Sequence, residues 1–266
     1  MKTIQQLFDL SGKVAIVTGG RGLYGASISE ALCEAGATVA ICSRNGEKCE
    51  EYAAKLREKG FRAFGLSLDL SDDASIEALV GAVAEREGHI DILINNAVDR
   101  ANLTDLDDAT REKLQASLNT NLTGTMMLSQ AVIPYMKAQG GGSIVNITSM
   151  RGLDCPHFPF YPGKMQKQTV NYTTEKWAQE GLTKYMAGCY GKYNIRTNSI
   201  APGGYSPAIC ETEDGKTFSE NYIANCPLHR WANEDDIKGP VVFLASEAAN
   251  YCNGATLVMD GGWTIW

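Results

Sequence analysis

With 266 residues, 44% of them hydrophobic and 21% charged, the chain has ordinary globular composition and enough length to bury one large α/β core. Its formal net charge of −7 speaks against a general nucleic-acid or membrane-surface binder, because phosphate recognition needs a clustered basic face. Eight scattered cysteines without a CxxC pair and only three histidines give no zinc pattern, so no metal is expected and the cysteines read as small buried hydrophobes.

The first residues, "MKTIQQLFDLSGK", lack the apolar stretch of a secretory signal, and no run reaches the length of a membrane helix. A cytoplasmic protein with reduced thiols is expected. Apolar runs then alternate with segments of helical spacing. "KVAIVTG" (13–19), "TVAICS" (38–43), "FRAFGLSLD" (61–69), "IDILINN" (90–96), "GSIVNITS" (142–149), "YNIRTNSIA" (193–201) and "ATLVMDG" (255–261) read as seven strands. Between them, Ser71 with Asp72 and Asp73 marks a helix start, while Gly36, Gly60 and Gly88 stand at helix ends.

Continuous apolar strands are buried on both faces, which calls for a parallel sheet covered by helices. Strict β–α alternation predicts an α/β doubly wound fold: seven parallel strands with helices on both faces. Without repeat, linker or low-complexity tract, residues 1–266 are expected to form a single domain. Residues 203–230, "GGYSPAICETEDGKTFSENYIANCPLHR", break the rhythm after a strand's carboxyl end, where such sheets bind ligands. A substrate lid is expected there, with an irregular surface loop as the alternative.

The first strand ends and the first following helix opens in "VTGGRGLYG" (17–25), where Gly19, Gly22 and Gly25 have the spacing TGxxGxxG. Glycines so placed allow a tight turn and let backbone approach a pyrophosphate resting on the helix N-terminus. A dinucleotide site follows. The second strand ends "ICSRN", with Ser43 and Arg44 and no carboxylate to accept ribose hydroxyls. Arg44, helped by Arg21, suits a 2′-phosphate, so NADP(H) is favoured over NAD(H). The alternative is that Arg44 merely begins a solvated helix.

Further pieces follow in order: "DLS" (69–71), "NNA" (95–97), "NLTG" (121–124), "GSIVNITS", YxxxK at 172–176, "NSIAPGG" (198–204), "PLHRW" (227–231) and "VMDGGW" (258–263). Together with the glycine turn they resemble the short-chain dehydrogenase/reductase family over nearly the whole chain. The resemblance implies a Rossmann fold and Asn121, Ser149, Tyr172 and Lys176 as the catalytic set. It also implies cofactor contacts from Leu23, Asp69, Leu70, Asn95, Ala97, Pro202 and Gly203, with Lys176 holding the nicotinamide ribose beside Tyr172. Two positions depart from the usual pattern: Leu23 and Val98 stand where glycine is common in the family.

Two tyrosines compete for the chemistry. Tyr172 and Lys176 are four apart in a proline-free segment, so they share one helix face. Tyr161 and Lys164 enclose Pro162 and Gly163, which forbid a regular face. A phenol's reference pKa of about 10 is too high for easy proton exchange near neutrality, and an adjacent ammonium lowers it. Tyr172 is therefore expected to pass the hydroxyl proton while hydride moves to or from nicotinamide. Ser149 would orient the substrate oxygen, and Asn121 would position a water leading from Lys176 to solvent.

Twenty-three positions separate Ser149 from Tyr172, a long interval for the family. Residues 150–171 are read as an insertion walling the substrate pocket, with a surface loop or a subunit contact as alternatives. Arg100, Arg151, His157, Lys164 and Lys167 would meet an acidic or polyhydroxylated substrate, and Phe158, Phe160 and Tyr161 would supply ring faces. The insertion resembles that of bacterial sugar-modifying members, which implies oxidation or reduction of a sugar, polyol or sugar acid. Rival readings are the same chemistry on a lipid-like or steroid-like ketone, a non-catalytic dinucleotide sensor, and an epimerase or dehydratase on the same scaffold. The apolar tail, with Trp263, Ile265 and Trp266, is expected to be exposed on a monomer and buried in a homotetramer, as the family's habit implies.

Overall fold

The computed structural model describes residues 1–166 and 168–266. Lys167, one of the expected substrate cations, lies outside the described residues, as does the Lys164 side chain. Seven strands form the sheet: β1 (Val14–Thr18), β2 (Thr38–Ser43), β3 (Arg62–Ser67), β4 (Ile92–Asn95), β5 (Gly142–Ile147), β6 (Ile195–Pro202) and β7 (Thr256–Met259). They lie in the order β3-β2-β1-β4-β5-β6-β7, and every pairing is parallel. The seven apolar runs thus became the seven strands, trimmed by a residue or more at most ends. The order reverses between β1 and β4, which opens a crevice beyond their carboxyl ends.

Nine helices are described: α1 (Ile4–Phe8), α2 (Leu23–Glu34), α3 (Gly46–Glu58), α4 (Asp73–Glu87), α5 (Arg111–Leu118), α6 (Gly124–Ala138), α7 (Val170–Tyr190), α8 (Glu213–Asn225) and α9 (Lys238–Ala245). None is long and apolar enough to cross a membrane. Alternate residues of β1 serve opposite layers, as the two-residue period of a strand requires. Ala15 and Val17 pack with Ile28 and Leu32 of α2, Leu56 of α3 and Val241 of α9. Val14 and Ile16 pack with Leu79 and Val83 of α4, Val132 of α6 and Met186 of α7. Each large side chain so buried stabilises the fold by roughly 1.5–3 kcal/mol.

The punctuation holds. Asp72 caps α4 by accepting from the Ala74 N–H at 3.1 Å, and Gly88 ends it at φ +81°. Two features had no sequence signal. A single π-helical turn, Asn119–Thr123, separates α5 from α6, and the Thr125 hydroxyl donates to the Asn121 carbonyl at 2.9 Å. In the long interval before α7 the chain makes three short 3-10 turns at Met150–Gly152, Phe158–Phe160 and Gly163–Gln166.

Those turns pack against α8 and the tail through a cluster of rings. Tyr222 of α8 is stacked between Trp231, at 4.1 Å, and Trp263, at 4.5 Å, and Phe218 stacks on Tyr161 at 4.6 Å. Trp263 was expected among the exposed tail residues; it is buried within the chain instead, because Tyr222 and Phe160 supply its partners. Ile265 and Trp266 remain exposed.

Candidate active site

The glycine turn closes the crevice on one side. Gly19 adopts φ +64°, a conformation that disfavours side chains, and a Cβ on Gly25 would lie 2.1 Å from the Gly19 carbonyl oxygen. Only glycine lets α2 approach the strand end so closely. Gly22 sits at the N-cap of α2 and offers no side chain, so the first-turn N–H groups face an open cradle that fits a pyrophosphate. Leu23 begins α2 at φ +30° with its side chain half exposed. Where the family usually has glycine, this chain tolerates a left-handed leucine.

A cleft of about 450 Å³ runs from this turn to the middle of the sheet. At one end it is lined by Gly19, Arg21, Gly22, Leu23 and Ser43. Ala97 and Arg100, after β4, flank the centre, and Ser149, Tyr172, Lys176, Pro202 and Gly203 form the far end. Residues to which the sequence assigned no cofactor or catalytic role join them: Tyr24, Asn96, Val98, Ile147, Thr148 and Tyr205. The Tyr24 and Tyr205 rings stack at 4.6 Å across the cleft wall, a contact between residues too distant in sequence for any pattern to reveal.

Lys176 is buried, and its ammonium donates to the Ile147 carbonyl at 2.8 Å and to Gln179 Oε1 at 3.0 Å. It lies 5.7 Å from the centre of the Tyr172 ring, one helical turn away. Burial is the main cause that pushes the Lys176 pKa down, to about 8; the Arg100 charge acts in the same sense, and the carboxylates of Glu175 and Glu180 oppose it. Ser149 ends the stretch after β5 and accepts from the Arg151 N–H at 3.1 Å, which fixes its hydroxyl at the cleft floor.

Asn121 lies in the π turn, wholly buried, and its side chain grips the loop after β4. Its Oδ1 accepts from the Asp99 N–H at 2.7 Å, and its Nδ2 donates to the Asp99 carbonyl at 3.0 Å. Its own carbonyl accepts from Gln179 Nε2 at 3.0 Å, so Gln179 spans the distance from Lys176 to Asn121 where a water was expected. Gln179 stands three residues after Lys176 on the same helix face, and that spacing was the available signal.

The remaining sequence candidates lie outside the cleft walls. Arg44 is exposed and pairs with Asp99 Oδ1 at 3.2 Å. Asp69 accepts from the Ser71 hydroxyl and N–H, which hold its carboxyl below the usual carboxylate range. Leu70 is buried against Gly124, and Asn95 is buried behind Ala97, donating to Asn146 at 2.9 Å and Ser129 at 3.1 Å. Of the insertion cations, Arg151 is turned inward and His157 is exposed. Arg151 is buried, donating to the Tyr161 hydroxyl at 2.6 Å and the Cys155 carbonyl at 2.9 Å. His157 stacks on Phe160 at 4.0 Å. Arg151 and Tyr161 are thus bonded to each other within the insertion, while His157 packs on Phe160 at its surface.

Residues 21–264 match the family model described as enoyl-(acyl carrier protein) reductase. The D-threitol dehydrogenase of Mycolicibacterium smegmatis is 36% identical, over 97% of this chain and 95% of that protein. The chain belongs to the short-chain dehydrogenase/reductase family. The 2-dehydro-3-deoxy-D-gluconate 5-dehydrogenase of Bacillus subtilis is 35% identical over 99% of both chains. Among solved structures, a gluconate 5-dehydrogenase from Burkholderia cenocepacia, in complex with NADP and tartrate, superposes with a TM-score of 0.88 at 33% identity, covering 99% of this chain and 100% of that one. This short-chain dehydrogenase/reductase is an NAD(P)-dependent oxidoreductase, and its glycine cradle fits the dinucleotide.

Proposed function

We propose that the protein interconverts a secondary alcohol and a ketone on a sugar, polyol or sugar acid, with NADP(H) as its preferred cofactor. One observation carries the reading: Tyr172 and Lys176 share a face of α7 in the wall of the cleft that the glycine turn closes. The bound nicotinamide supplies hydride transfer. Ser149 holds the substrate oxygen, Tyr172 takes or gives the hydroxyl proton, and the Lys176 ammonium favours the phenolate. The carbohydrate assignment is supported by relatives named for D-threitol and gluconate derivatives and by the exposed Arg100 in the cleft.

Arg44 supports the choice of NADP(H). It follows the end of β2, no carboxylate replaces it, and its present partner Asp99 can be exchanged for a 2′-phosphate. Residues 150–171 and 203–230 form the substrate cap in this reading, joined by the Tyr161–Phe218 stack. A single catalytic domain and a homotetramer complete it, the latter on the exposed Ile265 and Trp266.

The test uses purified protein with NADP⁺ and NAD⁺ against gluconate, D-threitol, other polyols and an apolar alcohol, followed by reduced-nicotinamide absorbance. Turnover of a polyhydroxylated substrate with NADP⁺ is expected, and Tyr172→Phe should lose at least about a hundredfold in kcat. Full activity of Tyr172→Phe would overturn the assignment, and turnover of the apolar alcohol alone would overturn the substrate class.

A further inference from the structure

Asp99 is the first charged residue after β4 and takes no part in the transfer of proton or hydride. Its backbone is held on both sides by one buried side chain. Asn121 Oδ1 accepts from the Asp99 N–H at 2.7 Å, and Asn121 Nδ2 donates to the Asp99 carbonyl at 3.0 Å. Asn121 is itself 1% exposed, and its Nδ2 is shared with Glu175 Oε2 at 2.9 Å. On this fixed base the Asp99 side chain is only 12% exposed, and its Oδ1 meets Arg44 Nη2 at 3.2 Å. The sequence shows no carboxylate at the end of β2; the fold brings one there from the loop after β4. The two partners differ in freedom. Arg44 is long and its side chain is 68% exposed, so it can turn to another acceptor. Asp99 has a short side chain on a pinned backbone, so its carboxylate stays where it is. Whatever Arg44 binds is therefore bound beside a fixed negative charge.

We propose that Asp99 is a specificity-determining residue for the cofactor: its carboxylate competes with the 2′-phosphate of NADP(H) for Arg44 and so narrows the preference over NAD(H) that Arg44 alone would give. The inference rests on the reading that Arg44 receives that phosphate. To take it, Arg44 must leave an acceptor it already has, and the carboxylate left behind repels the incoming phosphate. NAD(H) carries only hydroxyls at that position and meets neither cost. A repulsive group that faces one of two otherwise equal ligands sets the difference of their affinities. Asp99 thus acts on the ratio of the two affinities, while the glycine cradle, which serves the part common to both cofactors, is left as it is. The backbone bonds to Asn121 give this charge its persistence, because the loop cannot swing it away from the end of β2 without breaking both.

Calorimetric binding of NADP⁺ and of NAD⁺ to the whole protein, without substrate, tests this independently of any turnover. Asp99→Asn removes the charge with little change of shape, and the grip of Asn121 survives because it holds backbone atoms. The Kd for NADP⁺ should fall by about fivefold, the worth of one largely exposed charge pair, and the Kd for NAD⁺ should stay within about twofold of wild type. A loop merely loosened by the substitution would weaken both cofactors together. If Asp99→Asn does not fold, Asp99→Ser carries the same measurement. An unchanged ratio of the two Kd values, a shift of that ratio toward NAD⁺, or an equal loss of both cofactors would overturn the inference. Arg44→Ala, measured alongside, separates it from the reading beneath it. NADP⁺ binding that weakens in Arg44→Ala but ignores Asp99→Asn would overturn the inference alone, and binding indifferent to both would overturn both.

Discussion

Arg44 shows how one side chain can carry a cofactor preference. In the structure its guanidinium is held by Asp99 at 3.2 Å, largely in solvent, where such a pair is worth under about 1 kcal/mol. A charge-assisted bond to a 2′-phosphate is worth about 1.5–3 kcal/mol, so the exchange favours the phosphate. Arg44→Ala should therefore raise KM for NADP⁺ by about tenfold or more and leave KM for NAD⁺ nearly unchanged, as initial rates with each cofactor would show. Lys176 makes a second prediction, with the opposite sign to an ordinary ion pair. Its pKa in the folded chain, about 8, lies below the unfolded value of about 10.4. Between those pH values the unfolded chain binds the extra proton, so stability rises with pH there. Denaturant titrations should show wild type gaining on Lys176→Met by on the order of 3 kcal/mol from pH 7 to pH 11, with most of the gain above pH 8. At this scale the sequence was readable where spacing is local. Pro162 and Gly163 excluded Tyr161 from a helix pair, and four-residue spacing united Tyr172 with Lys176. It offered Arg151 as a substrate contact but was silent on its bond to the Tyr161 hydroxyl, which forms where three short turns fold the insertion back upon itself.

Elements explain what neither residue nor composition does. The corner from β1 into α2 requires a glycine at 25, because any Cβ there would collide with the Gly19 carbonyl oxygen. Gly25→Ala should abolish dinucleotide binding, measured by quenching of protein fluorescence, while melting shows the rest of the fold retained. Leu23 is the contrary case: its φ of +30° costs an L-residue about 1–2 kcal/mol. Leu23→Gly should raise the melting temperature and tighten dinucleotide binding, and a lower melting temperature would show that the leucine side chain repays its strain by packing. The strands were legible because apolar β-branched runs permit little else between two helical layers. The π turn at Asn119–Thr123 was not legible, since five residues are too few to display a period of their own and the turn shows itself only in where Asn121 ends up.

For the whole molecule, the tail divides into a part that belongs to the chain's own core and a part that does not. Trp263 is buried under Tyr222, while Ile265 and Trp266 are 69% and 80% exposed at the chain's edge. Light scattering should report an assembly about four times the 28.8 kDa chain mass, and Ile265→Asp with Trp266→Asp should shift it toward smaller species; a wild-type monomer would remove the assembly. The long-range half of this picture was out of reach of sequence reading, because an apolar tail looks the same whether it covers its own chain or a neighbour.

The sandwich of Trp231, Tyr222 and Trp263 has a practical consequence. Tyr222 also accepts a hydrogen bond from the Gly204 N–H at 2.9 Å, one residue beyond the cleft floor at Gly203. Two of the four indoles therefore flank a phenol whose seat is fixed by the cleft. Any movement of α8 as a ligand enters will alter how closely those rings overlap. The emission of Trp231 and Trp263 is thus a built-in optical gauge of where α8 sits, one that needs no dye and can be followed on the millisecond scale of a stopped flow.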